Sequence, residues 1–123
     1  MNFDGFTDQQ KMALVDLLVL GMYADGNLDL IEDQKARSVL ETIQFTSDGD
    51  RQRFFNASFV RARKHNASAE AARGYLAEIA KSFPTPALRR QAYNSLEDSL
   101  SSDRDLADNE CKLLIVVSEV FGL

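Results

Sequence analysis

Two short acidic stretches hold the residues best suited to chemistry. In Tyr23-Ala24-Asp25-Gly26-Asn27-Leu28-Asp29-Leu30-Ile31-Glu32 and in Ser101-Ser102-Asp103-Arg104-Asp105-Leu106-Ala107-Asp108-Asn109-Glu110, carboxylates crowd into a few residues. Oxygen-only ligands gathered in a turn are what hard cations such as Ca²⁺ or Mg²⁺ require. An EF-hand is excluded. Asp25-x-Asn27-x-Asp29 begins correctly, but Leu30 stands at the glycine position and Ala36 at the twelfth; in the second stretch those places hold Asp108 and Leu114. The competing explanation is helix capping, because Asp29 and Glu32 precede an apolar-periodic run and carboxylates there satisfy orphan amides. Asp25 does not fit that explanation. It falls at the C-terminal end of the preceding helix, where the macrodipole disfavours a carboxylate by about 0.3–1 kcal/mol, and Asp29, Glu32 and Asp33 add repulsion. A cation would relieve both. Glu97 and Asp98 lie about a turn before the second stretch and add to its acidity.

The remaining chemistry-bearing residues are sparse. One cysteine, Cys111, forbids an intrachain disulfide, and one histidine, His65, removes the His-rich and Cys/His zinc sites. Cys111 falls in the first turn of a helix, where the dipole could lower a thiol pKa, but no spacing brings His65 to it and a small packing cysteine is the better account. Arg51, Arg53, Arg61, Arg63 and Lys64 concentrate positive charge on one segment of a chain with net charge -5. That run suits docking to an acidic partner, a phosphate or an anionic membrane surface, or else a solvated face paired with the protein's own acids. Sequence-specific nucleic-acid binding is not expected, since no helix-turn-helix pattern accompanies the charge. A metal-dependent phosphoester hydrolase is the catalytic alternative. Without a nucleophile or general-base motif, a glycine loop for phosphate, or length for a substrate pocket, no enzyme is expected.

Helices must position these residues. Apolar residues recur at helical spacing almost throughout, with no sustained alternation bounded by hairpin turns, so the chain reads as all-α. The first helix starts at the capping box Thr7-Asp8-Gln9-Gln10, buries Leu14, Leu17, Leu18 and Met22, and stops near Ala24 before Gly26. A second opens at Asp29 and buries Ala36, Val39, Leu40 and Ile43. Ser47 or Asp48 caps a third, carrying Phe54, Phe55, Phe59 and Val60 inward to about Lys64. Ser68 caps a fourth, with Ala69, Ala72, Leu76, Ile79, Ala80 and Phe83 as its buried stripe. Phe83-Pro84-Thr85-Pro86 ends it and starts a fifth from Pro86 to about Ser102; the sixth runs from about Ala107 to Phe121 and stops at Gly122.

The two acidic stretches are copies of one pattern. A constant offset of 78 residues carries Asp25 to Asp103, Leu28 to Leu106 and Glu32 to Glu110, and also Leu18 to Leu96 and Val39 to Val117. Each half therefore reads helix, D-x-x-L-x-x-x-E, helix, and two such hairpins can bury each other's apolar faces about a pseudo-twofold axis, with helices three and four connecting them.

Leu20-Gly21-Met22-Tyr23-Ala24-Asp25-Gly26-Asn27-Leu28-Asp29-Leu30-Ile31-Glu32, the later Asp103-x-x-Leu106-x-x-x-Glu110 and the closing Val120-Phe121-Gly122-Leu123 resemble the TerB-like tellurite-resistance proteins. The resemblance spans nearly the whole chain. It implies a TerB-like helical domain of duplicated hairpins, a role in tellurite and general chemical-stress resistance, divalent-metal binding through the acidic loops, and action through partner proteins, membrane-associated ones among them. By position it assigns Asp25, Glu32, Asp103 and Glu110 to the metal, with Asp29 and Asp105 beside them. The second half departs from the pattern. Arg104 stands where Gly26 stands in the first, and a guanidinium beside Asp103 could supply charge in place of a metal; Ala107 replaces the capping Asp29.

Size and composition bound all of this. A chain of 123 residues with 45% hydrophobic and 27% charged residues has enough apolar surface for one core and too little length for two, so residues 1–123 are read as a single domain. The N-terminus carries Asp4 instead of a basic run, and the most apolar stretch, 14–24, is short and contains Asp16. A cytoplasmic protein with no integral membrane segment is the expectation.

Overall fold

The computed structural model describes residues 6–24, 30–65, 68–100 and 108–123, and every regular element among them is an α-helix. In chain order these are α1 (Asp8–Ala24), α2 (Leu30–Glu41), α3 (Asp48–His65), α4 (Ala69–Ala80), α5 (Pro86–Leu100) and α6 (Asp108–Phe121). The predicted starts of α1, α3, α4 and α5 hold in detail, while those at Asp29 and about Ala107 lie outside the described residues. Gln10 N–H donates to Thr7 Oγ1 at 3.2 Å while Thr7 N–H donates to Gln10 Oε1 at 3.0 Å, the reciprocal pair of a capping box. Ser47 caps α3 by accepting from Asp50 N–H, Ser68 caps α4 by accepting from Ala71 N–H, and Thr85 caps α5 by accepting from Leu88 N–H. Gly122, at φ +72°, ends α6 with Leu123 N–H on the Ser118 carbonyl and Gly122 N–H on that of Glu119, the two bonds of a Schellman stop. The proposed cap Asp29 and stop Gly26 lie outside the described residues.

α1 is the central element. Leu14, Val15, Leu17, Leu18, Val19 and Leu20 are all buried and the other five helices pack around α1, leaving it one partly solvated edge at Gln9, Met12 and Asp16. The sequence pattern marked only Leu14, Leu17, Leu18 and Met22 as inward; a helix enclosed on most sides buries the intervening positions too. α2 and α3 cover it most extensively, and α5 packs on both α1 and α6.

α3 corrects one expectation. Val60 is 56% exposed, and the buried positions are Phe55, Ser58 and Ala62, with Phe54 and Phe59 half-buried at the core margin. Positions 55, 58 and 62 share one helical face. Ser58 belongs to it because it meets a polar atom of α1, and that turns Val60 outward. The aromatic rings close the other end: Phe6 packs on Phe83 with centroids 5.5 Å apart, and Phe83 on Phe121 at 6.4 Å.

Candidate functional site

Of the six residues read as metal ligands, Asp25, Asp29, Asp103 and Asp105 lie outside the described residues. Glu32 falls in the first turn of α2 and Glu110 in the first turn of α6, with their side chains outside the described set. The first acidic stretch thus spans the end of α1 to the start of α2, and the second spans the end of α5 to the start of α6. Among the described residues no group of three or more His, Cys, Asp or Glu side chains is gathered to hold a metal ion.

The best-defined polar cluster lies elsewhere, and of its residues only Arg61 stood out in the sequence, as part of the basic run. Asp16, on the central helix α1, accepts at one oxygen, Oδ1, from both Ser58 Oγ (2.6 Å) and Arg61 Nη2 (2.8 Å) of α3. Asp16 is half-buried, its side chain 16% exposed, and α3 brings the hydroxyl and guanidinium that offset its partial loss of water. The spacing of Ser58 and Arg61, three residues apart, presents both on one face. Burial would lower the Arg61 guanidinium, but the bond to Asp16 and its charge raise it on balance. Cation–π contact with Phe54, 5.6 Å from the ring centroid, fixes Arg61 from its other side.

Tyr75 of α4 lies beside the cluster, near enough to Arg61 and Asp16 for both to act on its phenol. Its ring stacks on His65 at 4.5 Å, and its hydroxyl is buried with no hydrogen-bond partner among the described residues. Burial, and next the Asp16 carboxylate, push the phenol up to about 12, against the pull of the Arg61 guanidinium. Because an unpaired buried hydroxyl is unfavourable, Tyr75→Phe is expected to match the wild type or exceed it by up to about 1 kcal/mol at neutral pH in urea melts. The pH dependence has a definite sign. A phenol whose folded pKa is raised favours the fold below its unfolded value near 10 and loses that contribution as pH climbs towards 12. The wild type should therefore weaken between about pH 10 and 12 more steeply than Tyr75→Phe.

The arginine-rich helix resolves into used and unused charges. Arg51 bonds Asp48 (2.7 Å), Arg53 bonds Asp50 (3.1 Å) and Arg61 bonds Asp16, whereas Arg63 and Lys64 are exposed with no ion pair among the described residues. Cys111 is exposed on α6 and is not the packing cysteine its position suggested, and His65 stacks on the Tyr75 ring. A hollow of about 200 Å³ between the end of α2 and the start of α3 presents Arg37 and Arg51 against Glu41 and Asp48, a balanced set with no excess of either sign. No helix among the described residues is long and apolar enough to cross a membrane. Comparison of the chain with family models, curated proteins and solved structures finds no match.

Proposed function

We propose that this protein is a non-catalytic cytoplasmic module of a tellurite-resistance-type stress response that holds a divalent cation, Ca²⁺ or Mg²⁺, at its two acidic segments and acts through partner proteins. The repeat carries this reading. At the same offset of 78 residues, Leu14 and Ala92, Leu18 and Leu96, Ala36 and Leu114, Val39 and Val117, and Ile43 and Phe121 are all buried, so corresponding positions of α1–α2 and α5–α6 face the interior. That correspondence supports two hairpins related by a pseudo-twofold axis, joined by α3 and α4. Each hairpin is interrupted at the same place by the same acidic pattern, Asp25 to Glu32 and Asp103 to Glu110. Duplicated capping needs only one carboxylate per helix start. The surplus at Asp25, set against a helix C-terminus, is what a cation would neutralise.

A metal-free adaptor is the second reading, favoured by the capping side chains at the starts of α1, α3, α4 and α5, which make a capping role for Asp29 ordinary. Calorimetric titration with Ca²⁺ and Mg²⁺ separates the two. On the cation reading Asp25→Ala abolishes most of the binding heat and leaves the metal-free protein equally or slightly more stable. Asp29→Ala lowers stability by about 1 kcal/mol with or without metal. No heat and no metal-dependent shift in melting temperature at millimolar ion would leave the adaptor reading standing.

A further inference from the structure

α3 turns a second face away from the core, and its composition differs from that of the rest of this acidic chain. Arg53, Asn56, Val60, Arg63 and Lys64 are all exposed, and their spacing of three, four, three and one residues places them along one side of the helix over about 16 Å. The acidic residues of α3, Asp48 and Asp50, are confined to its first turn. Arg63 and Lys64 carry no ion pair among the described residues, and the Arg53–Asp50 pair is a solvated one, with 78% and 42% of the two side chains exposed. Such a pair holds little energy and yields readily to a competing carboxylate. Between these cations stands Val60, one of two large exposed hydrophobic residues among those described.

We propose that this face docks an acidic polypeptide segment bearing an aliphatic side chain, which seats on Val60 while its carboxylates pair with Arg53, Arg63 and Lys64. The inference rests on the partner-protein part of the function proposed above and names the surface involved. Charge complementarity selects the partner. A membrane surface is disfavoured because Phe55 and Ala62 of α3 are buried, Phe54 and Phe59 pack against the core, and the one exposed valine offers little to insert. Nucleic acid is disfavoured because a long polyanion meets the repulsion of a molecule with net charge -5, whereas a short segment stays within the screening length, about 8 Å at physiological salt, of the local cations.

The test is fluorescence anisotropy of the full chain with a labelled synthetic peptide of glutamates around a central leucine, in EDTA so that the outcome is independent of any cation site. Binding is expected, weakening about tenfold between low and physiological salt. The double variant Arg63→Gln, Lys64→Gln should weaken it about tenfold and Val60→Ser about threefold. Arg90→Gln with Lys112→Gln removes two exposed cations from α5 and α6 and should leave it unchanged. Circular dichroism confirms that each variant keeps its helices. Absence of peptide binding, equal loss in the Arg90/Lys112 control, or tighter binding to phosphatidylserine vesicles or a single-stranded oligonucleotide overturns the proposal. So does a dimer of the protein alone that the Arg63/Lys64 variant dissolves, which would assign the face to a second copy.

Discussion

Asp16→Ala is expected to lower the unfolding free energy by about 3 kcal/mol, read as a fall of about 10 °C in melting temperature for a chain of this size. The loss comes from what the carboxylate leaves behind. Ser58 is fully buried and its hydroxyl donates to Asp16, so truncation strands a donor where water does not reach. Arg61 loses its counter-charge, but its side chain is 38% exposed and recovers part of that loss from solvent, which discounts the ionic share. Two further variants divide the effect. Asp16→Asn keeps an acceptor for Ser58 and should lose about half as much. Asp16→Leu with Ser58→Ala removes the Ser58 donor along with its acceptor and should recover the share of the loss due to the stranded hydroxyl, leaving only the Arg61 share, which solvent partly offsets. If Asp16→Ala melts within about 2 °C of the wild type, the carboxylate is not what joins α3 to α1.

Arg89→Ala should cost about 2–3 kcal/mol, for a different reason. The guanidinium of α5 donates from Nε to the Phe83 carbonyl at 2.8 Å, from Nη1 to that of Phe121 at 3.3 Å and from Nη2 to that of Ala80 at 3.4 Å. It thereby ties the C-terminal ends of α4 and α6 together, donating to carbonyls at both helix ends, that of Ala80 also accepting from Phe83 N–H, and placing a cation where both macrodipoles favour one. The aromatic chain Phe6–Phe83–Phe121 packs at the same place. Arg89→Lys keeps the charge but cannot reach three carbonyls in one plane, and should recover less than half of the loss. Amide hydrogen exchange gives a local readout: protection should fall first at the ends of α4 and α6 in Arg89→Ala, and a uniform loss across all helices would contradict the clamp.

The order of the helices and their ends could be read from the sequence because the signals are local. Thr7 with Gln10, Ser47, Ser68, Thr85 before Pro86, and Gly122 each act on a backbone amide or carbonyl within a few residues, so their spacing suffices. The repeat was legible for the same reason: corresponding burial at Leu18 and Leu96, or Val39 and Val117, follows from periodicity within each half. The acidic residues Asp25, Asp29, Glu32, Asp103, Asp105 and Glu110 were likewise visible as a pattern, and the cation they suggest stays a proposal. What periodicity could not supply is which helix is enclosed. A stripe at Leu14, Leu17 and Leu18 looks the same whether one face of α1 or most of them is covered, and only the packing of five helices around it turned Asp16 from a polar interruption into a half-buried charge. That partial burial goes with the Ser58 and Arg61 pairing more than forty residues away, and the same orientation of α3 leaves Val60, Arg63 and Lys64 facing outward, the two cations without an ion pair among the described residues. A partner at that distance leaves no mark in local spacing, because the desolvation of a carboxylate depends on what surrounds it in space and not on its neighbours along the chain.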